Sequence, residues 1–134
     1  MLRLSFATFL LLGFLASFAQ AAEKLHKPRY IYHIVKSSVW EKAKESAFYV
    51  PSSLKTDGFI HCSKKSQVID VANRFFKGQS DLVLLKIDSR IVKAKVDYKM
   101  NGFPHVHGPM EISAVVSVVE MLPNESGEFE LAID

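Results

Sequence analysis

We predict that this chain forms one α+β domain with a mostly antiparallel sheet and two short helices. Its composition, 49% hydrophobic and 23% charged with 6 glycines and 5 prolines, excludes disordered and collagen-like chains. Removing the first 21 of the 134 residues leaves 113, which suffice for one hydrophobic core. Elements follow in the order β-α-β-α-β-β-β, and consecutive strands without helices between them favour antiparallel pairing.

Residues 1–21 have the pattern of a secretory signal peptide. Arg3 is their only charge, Leu4–Phe18 is largely apolar, and small residues precede an expected cleavage point after Ala21. An uncleaved membrane anchor is the alternative, since the apolar stretch approaches the roughly 20 residues that span a bilayer. We expect cleavage, which predicts an exported protein, periplasmic or secreted, that begins at Ala22 and has no stable membrane insertion.

The first strand and first helix follow a short tether. Residues 22–29 are polar and basic without periodicity, as in a tether. Tyr30–Val35 is rich in β-branched and aromatic residues and predicts a strand. Ser38 and Glu41 have the spacing of a capping box, and apolar residues recur after them at helical spacing. A helix over about Ser38–Ser46 is therefore expected.

The second strand and second helix follow an irregular connection at Pro51–Gly58. Phe59–Ser63 predicts a short strand. Apolar residues then recur at i, i+3, i+4 and i+7, which predicts a helix over Ser66–Phe76. Either Ser63 or Ser66 is available as its N-cap, and Gly78 is placed to end it.

The C-terminal half predicts strands without further helices. Leu82–Asp88 and Lys95–Lys99 are two of them, joined by a turn through Ser89 and Arg90. A loop is expected at Asn101–Pro109, and the β-branched run Ile112–Met121 predicts a buried strand. Glu128–Ile133 would be an edge strand or fray. We therefore place the domain at residues 30–122, followed by an acidic tail at 123–134.

The charge distribution is asymmetric along the chain. Residues 22–99 carry 16 basic and 8 acidic groups, whereas residues 100–134 carry 6 acidic groups and no Lys or Arg. No dense basic run alternates with aromatic residues, so we expect no nucleic-acid partner. A small anionic molecule remains an admissible ligand, and the oligomeric state is not predicted.

Cys62 is the only cysteine, so an intramolecular disulfide is impossible. It lies in the apolar run Phe59–Cys62, where a buried inert thiol is a commoner state than a nucleophile. Its role stays open.

Four histidines fall in strands or loops from three separate segments: His33, His61, and the pair His105 and His107. Each histidine alone is typical of a core or rim position. Together they predict one polar cleft, in which His33, His61 and His105 lie within about 10 Å of one another. A zinc site formed by His105 and His107 with His33 or His61 is a weaker alternative, because no carboxylate has a matching spacing.

A second pattern predicts binding of phosphate. Ser63 precedes the predicted helix over Ser66–Phe76, and Arg74 lies on that helix. Free backbone N–H groups and the positive end of a helix dipole favour anions at a helix N-terminus. The alternative is that Ser63 only caps the helix and Arg74 is a surface cation.

Six ordered segments resemble the domain of unknown function 952 family over roughly residues 29–122. They are Ile31–His33, Tyr49–Leu54, Gly58–Ser63, Val71–Phe76, Asp81–Leu85, and Phe103–His105 with Gly108–Pro109. The resemblance implies the fold of ADP-ribosyltransferases and tRNA 2′-phosphotransferases, an ADP-ribosylation-like fold with a split sheet and a cleft for NAD or an ADP-ribose-like group. No cofactor is implied as required.

The resemblance implies that His33 contacts the ribose and that His61–Ser63 line the same cleft. In the enzyme hypothesis His33 and Ser63 position the ribose, Arg74 or the helix N-terminus binds phosphate, and His61 or His105 moves a proton. Tyr49, Ser53 and His107 are the further candidates for ligand binding, although the family often has Tyr at the position of His107. The glutamate on the final strand of active transferases has no assigned counterpart. Two hypotheses therefore stand beside the metal alternative: a transferase of the ADP-ribosyl or phosphoryl type, and a catalytically silent module that binds a small ligand or a protein.

Overall fold

The computed structural model describes residues 27–130 and has the predicted α+β class with antiparallel strands. The strands are β1 (Tyr30–Lys36), β2 (Phe48–Tyr49), β3 (Ile60–His61), β4 (Leu82–Asp88), β5 (Val96–Asp97), β6 (His105–Val106), β7 (Met110–Glu111) and β8 (Val115–Met121). The α-helices are α1 (Ser37–Ala43), α2 (Ser53–Thr56) and α3 (Val68–Phe75), so the described part has three where two were predicted. Single 3-10 turns occupy Lys65–Gln67 and Ile112–Ala114. The predicted signal peptide lies outside the described residues, as does most of the tether.

The strands are divided among three antiparallel sheets. The largest has the order β1-β4-β8, and two smaller sheets have the orders β3-β6-β5 and β2-β7. A single bridge between Tyr32 and Ser63 connects the large sheet to the chain that follows β3. Because β1 is an edge strand and its bridge to the chain after β3 is confined to Tyr32 and Ser63, its outer edge from His33 to Lys36 pairs with no other strand among residues 27–130.

The hydrophobic core has two parts, one on each face of the large sheet. Strand alternation turns Ile31 and Val35 to one face, where they pack with Trp40 of α1. It turns Tyr32 and Ile34 to the other face, where they pack against α3. His33 therefore points to the same side as Ile31, as the alternation predicted.

The N-terminal half differs from prediction at the N-cap of α1 and in the connection at Pro51–Gly58. α1 begins at Ser37 after an N-cap at Lys36 that makes no side-chain cap bond, so the capping box of Ser38 and Glu41 is wrong. Glu41 pairs with Lys44 instead. The supposedly irregular stretch contains α2. This four-residue helix is too short to show a sequence period.

The pairing of β5 is a second difference. β5 does not pair with β4 through Ser89 and Arg90; it pairs with β6, inside the predicted loop. The Ser89 hydroxyl instead donates to the carbonyls of Pro28 and Arg29, which ties the end of the predicted tether to the domain.

The end of the chain also packs differently. Ile112–Met121 is no buried strand: it holds a 3-10 turn and then β8, whose Val116 and Val118 are exposed. Phe129, placed in the predicted tail, is fully buried against α3. Asn73 secures it, since its side chain accepts from the Phe129 N–H (2.7 Å) and donates to the Phe129 carbonyl (3.2 Å). The packed domain thus extends through Phe129. Among residues 27–130, no helix is long and apolar enough to cross a membrane.

Candidate functional site

A cleft of about 1080 Å³ lies along the unpaired edge of β1. The end of β1, the middle and end of α3, and the loop before β6 form its walls. Seven of the eight predicted site residues line it: His33, Tyr49, Ser53, His61, Ser63, Arg74 and His105. The divergence of β1 from β3 creates this space, and so residues far apart in the sequence meet there.

His107 is the predicted residue that the structure places elsewhere. It lines a separate pocket of about 590 Å³ between the chain around α2 and the loop at Gly108 and Pro109. Its Nε2 lies 2.9 Å from an oxygen of Asp97. His107 lies two residues from His105, and both rings are close to Phe59, at 5.6 Å and 4.0 Å between centroids, but only His105 lines the cleft. Residues 27–130 contain no group of three or more His, Cys, Asp or Glu that could hold a metal ion, so the zinc alternative has no ligand set there.

The His33 ring is held by hydrogen bonds at both nitrogens. Nδ1 lies 2.6 Å from the His61 carbonyl oxygen, which can only accept, so Nδ1 carries the hydrogen and donates. In the neutral ring Nε2 then accepts from the Tyr49 hydroxyl at 2.9 Å. Burial lowers the pKa of His33 to about 4, which keeps the ring neutral at pH 7. His33 therefore joins β1, β2 and β3, and it has no unbonded nitrogen for proton transfer.

Tyr49 is a buried donor to His33. Its side chain is 2% exposed, and its ring meets Trp40 edge-on at 6.5 Å between centroids. Burial raises the pKa of the Tyr49 hydroxyl far above 10, so the hydroxyl stays protonated and continues to donate. Tyr49 thus supports the cleft wall.

His61 forms a pair with an acid that the sequence analysis did not single out. Its Nε2 lies 2.7 Å from Oδ2 of Asp57, the residue that ends α2. A carboxylate only accepts, so Nε2 carries a hydrogen, and in the neutral ring Nδ1 has a lone pair without a partner among residues 27–130. This bond also lowers the pKa of Asp57. An imidazole oriented by a carboxylate is an arrangement that can move a proton. The four-residue spacing across the turn was the available signal.

His105 is the second imidazole with nitrogens open to a ligand. Its ring stacks on Phe59 with centroids 4.0 Å apart and lies 5.7 Å from the His61 ring. Burial lowers the pKa of His105, and the neighbouring His61 acts in the same direction. Every buried side-chain nitrogen or oxygen in the described part has a hydrogen-bond partner. Since the His105 ring makes no hydrogen bond there, its nitrogens are not fully buried, and the residue lines the cleft.

The predicted phosphate site at the helix N-terminus is wrong in its details. Ser63 does not cap a helix, because its backbone pairs with Tyr32 and the next turn starts at Lys64. The Lys64 N–H already donates to the Gln67 side chain at 2.8 Å. Moreover, the residue of the first turn of α3 that lines the cleft is Asp70, whose negative charge disfavours an anion there.

Two polar side chains of the cleft, those of Arg74 and Ser63, are available to bind an anion. Arg74 lies on the last turn of α3, is exposed, and forms no ion pair with any residue in the range 27–130. The buried Ser63 has a hydroxyl without a partner in that range, so its oxygen is not fully buried, and the residue lines the cleft. A guanidinium and a hydroxyl are typical partners of phosphate oxygens.

Cys62 lines the cleft without being reactive. It is 3% exposed, and burial raises the pKa of its thiol to about 12. The thiol is therefore protonated at neutral pH and is no nucleophile. Glu111, the acid nearest the predicted loop, is buried outside the cleft, where it accepts from the Lys93 N–H at 3.2 Å.

Comparisons with known proteins identify one family and one solved relative. The model of the family described as "Protein of unknown function (DUF952)" matches residues 34–118. The crystal structure of protein CC0527 from Caulobacter crescentus is similar to this chain, with 27% sequence identity and a TM-score of 0.68. The crystal structure of its double mutant has 28% identity to this chain and a TM-score of 0.66. Each match covers 75% of this chain and 93% of the CC0527 chain. Its solution NMR structure, 28% identical, has a TM-score of 0.62 and covers 75% of this chain and 91% of its own. No curated protein matches the chain. These relatives do not support the more specific assignment to the ADP-ribosyltransferase fold.

Proposed function

The chain belongs to the DUF952 family of proteins of unknown function, and we propose that its domain binds a small phosphorylated organic molecule in the cleft beside β1. The observation that carries this proposal is the meeting of seven residues from distant segments at one cleft. Among them are a guanidinium without an ion pair, a hydroxyl without a hydrogen-bond partner and two imidazoles with unbonded nitrogens, as far as residues 27–130 are concerned. Convergent polar groups in a large concave site are the usual mark of a small-molecule site.

Each polar group has a role in this proposal. Arg74 and the Ser63 hydroxyl bind phosphate oxygens, and His61 and His105 bind hydroxyl groups or ring nitrogens of the organic part. NAD and ADP-ribose are the specific candidates, because the sequence resembles a family grouped with ADP-ribosyltransferases. The proposal requires no resident cofactor.

Calorimetric titration with ADP-ribose, NAD and pyrophosphate tests the proposal. Arg74→Ala should weaken binding about tenfold or more, since hydrogen bonds to charged groups are worth roughly 1.5–3 kcal/mol. Lys93→Ala is the matched control, because Lys93 is an exposed cation outside the cleft. Absence of binding by all three ligands, or equal weakening in the two variants, would show that the cleft is no phosphate site.

Whether the domain also catalyses a reaction is a separate question. The Asp57–His61 pair favours catalysis. A silent binding module is favoured by His33, whose two ring nitrogens are both hydrogen-bonded, and by the position of Glu111 outside the cleft. Release of nicotinamide from NAD, abolished by His61→Gln, would indicate a transferase or hydrolase. Binding without turnover would indicate the silent module.

We also propose export, on the pattern of residues 1–21. Mass spectrometry of the exported fraction should find a chain that begins at Ala22. A membrane-bound chain with an intact Met1 would show an anchor instead.

A further inference from the structure

Three exposed apolar side chains line the cleft. Val39 of α1 is 45% exposed, Phe75 of α3 is 65% exposed, and Met100 in the loop before β6 is 58% exposed. They come from three separate elements, so the amphipathic pattern of one helix does not explain them. Apolar groups that converge on one concave surface mark a place where apolar surface of a ligand or partner is buried.

A cation accompanies the apolar group on two walls of the cleft. Arg74 directly precedes Phe75 on the last turn of α3. On the opposite wall, the exposed Lys36 ends β1 and lies three residues before Val39. Asp70 is the one acidic residue among those that line the cleft in the described part. The charge of the cleft therefore favours an anion, while its mouth favours apolar surface.

The volume of the cleft also exceeds what a phosphate group needs. About 1080 Å³ lies at the upper end of the range for ligand pockets, roughly 300–1,000 Å³. Space remains for an organic group beside a phosphate that is bound at Arg74 and Ser63. Phe75 and Arg74 both line the cleft, so one ligand can reach both.

We infer that the cleft takes an amphipathic phosphate ester, with the phosphate on Arg74 and an alkyl or acyl chain against the apolar mouth formed by Val39, Phe75 and Met100. This deepens the proposed function and rests on it. The ligand is anionic at one end, and affinity rises with the length of the chain at the other. Phe75 is the specificity-determining residue for the chain.

Calorimetry with ethyl phosphate and octyl phosphate, the latter below its micellar concentration, measures the contribution of the chain. Octyl phosphate should bind at least about tenfold more tightly, because each buried methylene adds affinity. Phe75→Ser should remove most of this gain and leave the affinity for ethyl phosphate unchanged, whereas Arg74→Ala should weaken both ligands. Phe48→Ser is the matched control: Phe48 is 47% exposed and lies outside the cleft, so the gain should persist.

The possible failures are distinguishable. Equal affinity for the two alkyl phosphates, with ADP-ribose or pyrophosphate still bound, would overturn the inference and leave the proposed function standing. Failure of every phosphate to bind would overturn both. A gain that persists in Phe75→Ser, or is lost equally in Phe48→Ser, would also overturn it. So would dimerisation in sedimentation velocity that Phe75→Ser abolishes, because the mouth would then be an interface between two copies.

Discussion

Acidification from pH 6.5 to 4 is expected to destabilise the domain through His33. Burial lowers the pKa of this ring to about 4 in the folded protein, whereas in the unfolded chain it is about 6.5. As the pH falls below 6.5, the unfolded chain takes up a proton that the folded protein refuses, so the free energy of unfolding decreases. Below pH 4 both states are protonated, and the loss stops growing. The difference between the two pKa values corresponds to about 3 kcal/mol.

Urea unfolding at several pH values measures this loss. Trp40, the single tryptophan of the chain, is buried beside Tyr49 and reports unfolding by its fluorescence. His33→Gln keeps one donor and one acceptor but cannot titrate, so between pH 6.5 and 4 its free energy of unfolding should fall by about 3 kcal/mol less than that of the unmodified chain.

His105→Gln is the comparison for this experiment. Burial also lowers the pKa of His105, so protonation of His105 adds to the loss of stability as the pH falls. His105→Gln should remove this part of the loss and retain the part that comes from His33. The pKa values of Asp57 and Asp97 are lowered in the folded protein, so the stability that these carboxylates contribute is lost mainly below this pH window. An unchanged pH dependence in His33→Gln would refute the assignment to His33.

Three further predictions concern single side chains. Phe129→Ala should lower the free energy of unfolding by about 3–5 kcal/mol, because Phe129 is buried. Phe75→Ala, at an exposed position, should change it by less than about 0.5 kcal/mol. Urea unfolding measures both values, and equal effects would contradict the burial of Phe129. His61→Ala should raise the pKa of Asp57, because it removes the hydrogen bond that chiefly lowers that pKa. Carbon NMR titration of the Asp57 carboxyl measures the change, and an unmoved titration would contradict the pair. Cys62 should resist alkylation by iodoacetamide at pH 8 in the folded protein, because its thiol is buried and protonated, and it should react in urea. Mass spectrometry measures the alkylation, and alkylation of the folded protein would contradict the burial of Cys62.

The candidate site was predictable where it depends on local pattern and missed where it depends on the packing of separate segments. Strand alternation placed His33 on the face of Ile31, and the six family-like segments contain seven residues of the cleft. His107 was expected with them because it lies two residues from His105, but it lines another pocket. Asp57 was missed because a carboxylate four residues before a histidine has no special meaning until a turn brings the two together.

The sequence by itself determined the α+β class and the long elements β1, β4 and α3. Their periodicity is local, because it depends on which side chains of one element face the core. The tertiary structure alone decided the pairing of two-residue strands such as β5 and β6, which are too short to show a period. It also decided the burial of Phe129 and the position of the cleft. These depend on contacts between residues far apart in the chain, and the divergence of β1 from β3 opens the cleft only once both strands are packed.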